Sequence, residues 1–251
     1  MDSTVSPPLL YRISRLVVRL FAAILLRFTV KYKAPLPAGP KIFVVNHPSA
    51  TDPFLIHLVS KEEINVMITE KAFQVKGFGR FLRALHEIPV PQPPKSGASA
   101  LDQACEHLAR GSSVAIFIEG HISPEEGGFL PPRTGAVRLA LRAKVPVVPV
   151  GIYLRRDWRF HIRSGISGEQ TEAFWYFHGP YLLTVGEPHY LTGDVEDRDH
   201  VRTLSEQLME AIRSLSAESE KRGHRLMPDS LLMRLLRLLL PLRRKQIASG
   251  L

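Results

Sequence analysis

At 251 residues, 45% hydrophobic and 23% charged, the chain is long enough to bury one sizeable core, and a single domain is expected. A lone cysteine, Cys105, excludes an intramolecular disulfide and any multi-cysteine metal site, and no metal centre is expected. The net charge of +9 points to nucleic acid or an anionic membrane, and its placement decides for the membrane. Residues 9–33 carry Arg12, Arg15, Arg19, Arg27, Lys31 and Lys33 without an acid, and residues 230–251 carry Arg234, Arg237, Arg243, Arg244 and Lys245 likewise. The stretch between is close to neutral, so no nucleic-acid partner is expected.

The first element, "LLYRISRLVVRLFAAILLRFTV", has the length of a membrane span or a signal peptide. At about 100° per residue Arg12, Arg15, Arg19 and Arg27 fall in one arc of roughly 120°, with Leu, Val, Ile and Phe around the rest. An arginine near mid-span costs about 2.5–3.5 kcal/mol on insertion scales, whereas a helix lying in the interface leaves all four in the headgroups. No small-residue cleavage site follows the apolar run. Residues 1–33 are therefore expected to form a basic amphipathic helix on a membrane surface. The alternatives are a helix packed on the domain or a coiled-coil partner. The leucine-rich stretch "SLLMRLLRLLLPLRRK" gives residues 226–251 the same character.

Between the basic ends, over 34–225, short apolar runs alternate with helical patterns, the signature of βα units and a mostly parallel sheet. Strands are expected over 41–46, 64–69, 88–90, 113–118, from 145 onward and over 181–185. Helices are expected from 53, over 77–85, 98–110 with Gly111 closing it, 134–143 and 199–222. The prolines of "VPVVPVGIY" suggest an outer strand or a strand end. The "FWYF" cluster at 174–177 suits core, a membrane contact or a strand over an acyl site. The fold class is thus α/β: one domain with a mostly parallel central sheet flanked by helices, plus basic amphipathic helices at both termini.

The stretch "VVNHPSATDPF" ends the first expected strand with a His-x4-Asp spacing. His189 with Asp194 and His224 with Asp229 repeat the spacing, so it proves nothing by itself. Asp52 before Pro53 suits a helix N-cap. If its carboxylate instead accepts from Nδ1 of His47, it fixes the tautomer and leaves Nε2 free to take a proton. No Gly-x-Ser-x-Gly elbow, dinucleotide fingerprint or P-loop is present.

Four blocks in order resemble the glycerolipid acyltransferases of the 1-acylglycerol-3-phosphate (lysophospholipid) type. They are "NHPSATD", "KGFGRFLRALHEIPV", "FIEGHIS" followed by "PPRTGAVRLA", and "VPVVPV". The resemblance implies transfer of an acyl group from a thioester, acyl-CoA or acyl carrier protein as co-substrate, to a lysolipid hydroxyl. It implies no other cofactor, and a place at the cytoplasmic face of a membrane, peripheral or monotopic. His47 would be the general base and Asp52 its orienting acid, with backbone N–H groups near Glu119 and Gly120, or in the helix after Pro53, at the oxyanion. Glu119, Gly120, His121 and Arg133 would form the substrate-binding set.

One departure concerns the acceptor. The family's third block has Thr-Arg where this chain has His121 and Ile122, and isoleucine cannot bind phosphate. Arg133, or His121 if protonated, would compensate, or else the acceptor lacks a phosphate at that place. The alternative is an acyltransferase-like lipid-binding or scaffold protein without catalysis.

Overall fold

A computed structural model describes residues 8–92, 97–124, 126–166 and 169–226. In chain order the elements are α1 (Leu9–Leu25), β1 (Leu26–Tyr32), β2 (Ile42–Val45), α2 (Asp52–Leu55) continued by a 3-10 turn (Ile56–Leu58), and β3 (Ile64–Thr69). Then come α3 (Glu70–Gln74), α4 (Phe78–Ala84), β4 (Ile88–Val90), α5 (Ala98–Ala109), β5 (Ser113–Phe117), α6 (Gly135–Ala143) and β6 (Val147–Leu154). A second 3-10 turn (Arg156–Trp158), β7 (Phe160–Ile166), β8 (Glu169–Trp175), β9 (Gly179–Val185) and α7 (Arg198–Leu226) complete the series.

Seven strands form one sheet in the order β1-β9-β6-β2-β5-β3-β4, and β7 and β8 pair as a separate antiparallel hairpin. Within the large sheet every neighbouring pair is parallel except β6 with β9. The sheet is covered on both faces, so β2 reads as an uninterrupted apolar run whose residues alternate between two cores. Phe43 and Val45 pack with Leu55, Ile56 and Ala22 on the face carrying α1 and α2. Ile42 and Val44 pack with Ala104 of α5, Val137 of α6 and Ile212 of α7 on the other. The expected α/β class, with a mostly parallel sheet between helices, is what the chain adopts.

Local departures have identifiable causes. The first helix ends at Leu25, and Leu26–Tyr32 is a strand paired in parallel with β9, so residues 1–33 are not one helix and a domain boundary after 33 would cut the sheet. The arginine arc is divided as well. Arg15 donates to the carbonyls of His57 (3.1 Å) and Ser60 (2.6 Å), Arg27 lies in β1, and Leu9, Ile13, Leu16, Val17, Leu20 and Ile24 are exposed. Among the described residues no helix is long and apolar enough to cross a membrane. The second basic helix expected over 226–251 lies outside the described residues apart from Leu226 at the end of α7. Strand β6 is internal despite Pro149. Its ladder with β9 begins at Val150, and the Pro149 carbonyl accepts from the Gly186 amide at 2.8 Å.

Candidate active site

The C-terminal ends of β2 and β5 lie side by side and deliver His47 and Glu119. Asn46 fixes how the chain leaves β2. Its side chain imitates one more rung of a ladder, Nδ2 donating to the Ile152 carbonyl (3.0 Å) and Oδ1 accepting from the Ile152 amide (2.7 Å). The following loop is strapped to the end of β8. The Ala50 amide donates to the Phe174 carbonyl (2.7 Å), and the Thr51 hydroxyl accepts from the Tyr176 amide (2.9 Å) and donates to its carbonyl (3.0 Å).

Within this frame His47 Nδ1 stands 3.0 Å from Asp52 Oδ2, and the imidazole stacks on Phe117 with centroids 4.1 Å apart. Asp52 is 0% exposed, and a carboxylate there requires donors on both oxygens. It receives them from the Ser49 amide (2.7 Å), the Ser49 hydroxyl (2.6 Å) and the Tyr181 hydroxyl (2.7 Å) besides His47. Burial and then the Asp52 charge push the Tyr181 phenol well above its usual range, so it stays protonated and donates. The N-cap expectation for Asp52 is corrected: Thr51 is the cap position, and the Asp52 side chain turns back toward the loop and the imidazole. Nε2 of His47 has no hydrogen-bond partner among the described residues, so the ring has a basic nitrogen available to a bound hydroxyl.

Glu119 is 1% exposed and its oxygens are taken by the protein. Oε1 accepts from the His47 amide (3.0 Å) and the Ser123 hydroxyl (2.8 Å), and Oε2 from the Leu130 amide (2.7 Å). It braces the His47 backbone and the neighbouring loop instead of facing a substrate. Gly120 is at φ +68, and a Cβ there would fall 2.5 Å from both Cδ and Nε of Arg133, so glycine lets the arginine cross the turn. Its amide is committed to the Phe117 carbonyl (2.9 Å), and that of Phe54 to Thr51 (3.1 Å), which removes both from the expected oxyanion donors.

Arg133 Nη2 donates to Nε2 of His121 at 2.7 Å. Burial, and then the charges of Arg133 and His47, hold the His121 imidazole below its ordinary value. It is the neutral acceptor of Arg133, not the protonated phosphate ligand considered from sequence.

Sequence reasoning missed Ser49, Tyr181 and two arginines from the poorly patterned stretch after β6. Arg156 donates to the carbonyls of Pro124 (2.6 Å) and Gly128 (3.0 Å). Arg159 donates to the carbonyl of Pro48 (3.0 Å) and lies over the Phe174 ring at 4.7 Å. The "FWYF" cluster is divided: Tyr176 is core, Phe174 and Trp175 belong to the hairpin, and Trp175 stacks with Phe54 at 6.3 Å. His189 and His224, with the same spacing as His47, stand at a bridge to Val147 and on α7 respectively, away from this constellation.

A solved structure, the 1-acyl-sn-glycerophosphate (LPA) acyltransferase PlsC from Thermotoga maritima, shares the fold at a TM-score of 0.55 and 22% identity, over 84% of this chain and 78% of that one. The 1-acyl-sn-glycerol-3-phosphate acyltransferase of Bacillus subtilis (strain 168) is 26% identical over 165 residues, 65% of this chain and 70% of that protein. The putative 1-acyl-sn-glycerol-3-phosphate acyltransferase acl-2 of Caenorhabditis elegans is 28% identical over 122 residues, 48% of this chain and 43% of its own length. Residues 27–153, half of the chain, match the Acyltransferase family and enclose His47, Asp52, Glu119, Gly120, His121 and Arg133. The chain therefore belongs to this family, among the glycerolipid acyltransferases, and is an enzyme of acyl transfer.

Proposed function

We propose that this enzyme moves a fatty acyl group from a thioester donor, acyl-CoA or acyl carrier protein, to the free hydroxyl of a lysolipid, 1-acylglycerol-3-phosphate or a related acceptor. The observation that carries the reading is the His47 imidazole held through Nδ1 by the buried Asp52 carboxylate, with Nε2 unpartnered among the described residues. A hydroxyl is a poor nucleophile at neutral pH, and a positioned base typically contributes about 10²–10⁴ in rate. Nε2 takes the hydroxyl proton as the oxygen attacks the thioester carbonyl. The tetrahedral intermediate then expels the thiolate, which recovers the proton from His47. The donor is already activated, so no covalent acyl-enzyme is needed. Arg133, crossing Gly120 beside His121, is a cation at the site that suits an anionic acceptor headgroup, while Ile122 supplies none.

The exposed apolar stripe of α1 supports docking on a membrane surface, where a lysolipid acceptor resides. In an assay of the full chain with acyl-CoA and a panel of lysolipids, His47→Ala is expected to lower kcat by about 10²–10⁴. Equal turnover by both proteins would remove His47 from its role.

A further inference from the structure

A cleft of about 1110 Å³ lies between α1, β1, the loop at 33–38 and the turn at 58–62. It exists because α1 is pinned beside it: Tyr11 accepts from the Ile64 amide (3.0 Å) and meets Nδ1 of His57 (3.3 Å), and Arg15 holds the carbonyls of His57 and Ser60. At the β1 side the Tyr32 hydroxyl donates to the Val59 carbonyl at 2.8 Å.

The lining is strongly cationic. Its one acid, Glu62, is paired with the buried Lys41, and Lys33 is paired with Glu218. Arg19, Arg27 and Lys61 are exposed and have no acidic partner among the described residues. Thr29, also in the lining, has a hydroxyl shielded from solvent and without a hydrogen-bond partner. Leu26, Phe28, Leu36 and Val59 supply an apolar wall.

None of His47, Asp52, Glu119 and Arg133 lines the cleft. Lys41 precedes β2 and His47 follows it, so the six-residue rise puts the Lys41 end about 20 Å from His47, while Phe28 at the other end backs onto Tyr181. A volume of this size suits a molecule larger than a lone anion. Cations without partners beside an apolar wall suit an anionic amphiphile, and the exposed leucine stripe on α1 is where such a molecule arrives from a leaflet.

We propose that the cleft under α1 binds an anionic glycerophospholipid, its headgroup facing the cations Arg19, Arg27 and Lys61 and its apolar part against Phe28 and Leu36. This site is additional to the acceptor site at His47 and Arg133, and does not depend on which lysolipid is acylated.

The test is calorimetric titration of the full chain with dihexanoyl phosphatidylglycerol below its micellar concentration. One-to-one binding is expected, with dihexanoyl phosphatidylcholine weaker by about tenfold. The combined variant Arg19→Gln, Arg27→Gln, Lys61→Gln is expected to weaken binding about tenfold. A control losing the same charge elsewhere, Arg110→Gln, Arg202→Gln, Lys221→Gln, stays within about twofold of the unaltered chain. Equal losses in the two variants, equal affinity for both lipids, or no binding overturns the proposal. So does loss on Arg133→Ala with retention in the triple variant, which assigns the probe to the acceptor site. Inorganic phosphate binding as tightly as the lipid identifies a free-anion site and overturns it too. The comparison of probes on the unaltered chain holds even if a variant fails to fold.

Discussion

At the scale of single residues the buried Asp52 carboxylate beside His47 is where the structure adds most. Asp52 is held by Ser49 and Tyr181 as well as by His47, so its orientation does not rest on the imidazole alone. Replacing Tyr181 by Phe removes one donor from a buried carboxylate, which costs about 1–3 kcal/mol of stability. The remaining negative charge then bears more fully on the imidazolium. In this variant kcat is expected to fall about tenfold with KM little changed. A stability loss with kcat unchanged would make Tyr181 a packing residue only. His47 and Asp52 were legible from sequence because four ordered blocks surround them. Tyr181 was not, since it lies 129 residues from Asp52 in an apolar strand and nothing in the local pattern separates a tyrosine that packs from one that donates. Ser49 stands inside the motif, and an Asp three residues after a Ser is itself a signal of local side-chain to backbone bonding, here from the Ser49 amide to the Asp52 carboxylate.

At the scale of elements, β1 is the informative case. In "LRFTVKY" the residues Arg27, Thr29 and Lys31 alternate with Leu26, Phe28, Val30 and Tyr32, a period of two that marks a strand. The preceding helical arginines carried the helix reading through it. The helices and strands of the central region were legible because the buried sheet demands apolar runs between amphipathic helices. The hairpin of β7 and β8 was not, because its interest lies in backbone bonds to the loop at 50–51 that no composition reveals.

Strand β1 is tied to α7 by Lys31 and Lys33, both on Glu218 at 2.8 and 2.6 Å. Hydrogen bonds from these ammonium groups hold the Glu218 carboxyl down from 4.5 to about 2. A depressed carboxyl means that the unfolded chain takes up the proton first as pH falls. Its stabilisation is therefore full above about 4.5 and lost as pH approaches 2. Solvent at this surface limits the gain to about 0.5–1 kcal/mol. Urea unfolding of Glu218→Gln is expected to show that deficit near neutral pH and to converge with the unaltered chain near pH 2. A constant gap across the range would contradict the ion pairs as its source.

At the scale of the whole molecule, charge and hydropathy at the N-terminal end were legible as a basic amphipathic segment, yet its role is divided in a way no helical projection shows. The outward side of α1 carries an apolar stripe beside the exposed Arg12 and Arg19, Arg15 turns into the domain, and Phe28 of β1 stacks on Tyr181 at 5.9 Å, one contact from Asp52. The segment that suits a membrane is thus continuous with the scaffold of the site.

The place of β1 at the end of the sheet also governs how the protein behaves when shortened. Removing residues 1–25 takes away α1 alone, whereas removing 1–33 uncovers the backbone N–H and C=O groups along β9, "GPYLLTV", whose Tyr181, Leu182, Leu183 and Val185 are at most 1% exposed in the intact fold. A bare, apolar edge of that kind is a template for the same strand of another molecule. On size-exclusion chromatography, the chain starting at residue 34 is expected to run mostly as soluble aggregate, and the chain starting at residue 26 mostly as a single discrete species. The strand would then be acting as a cover against self-association.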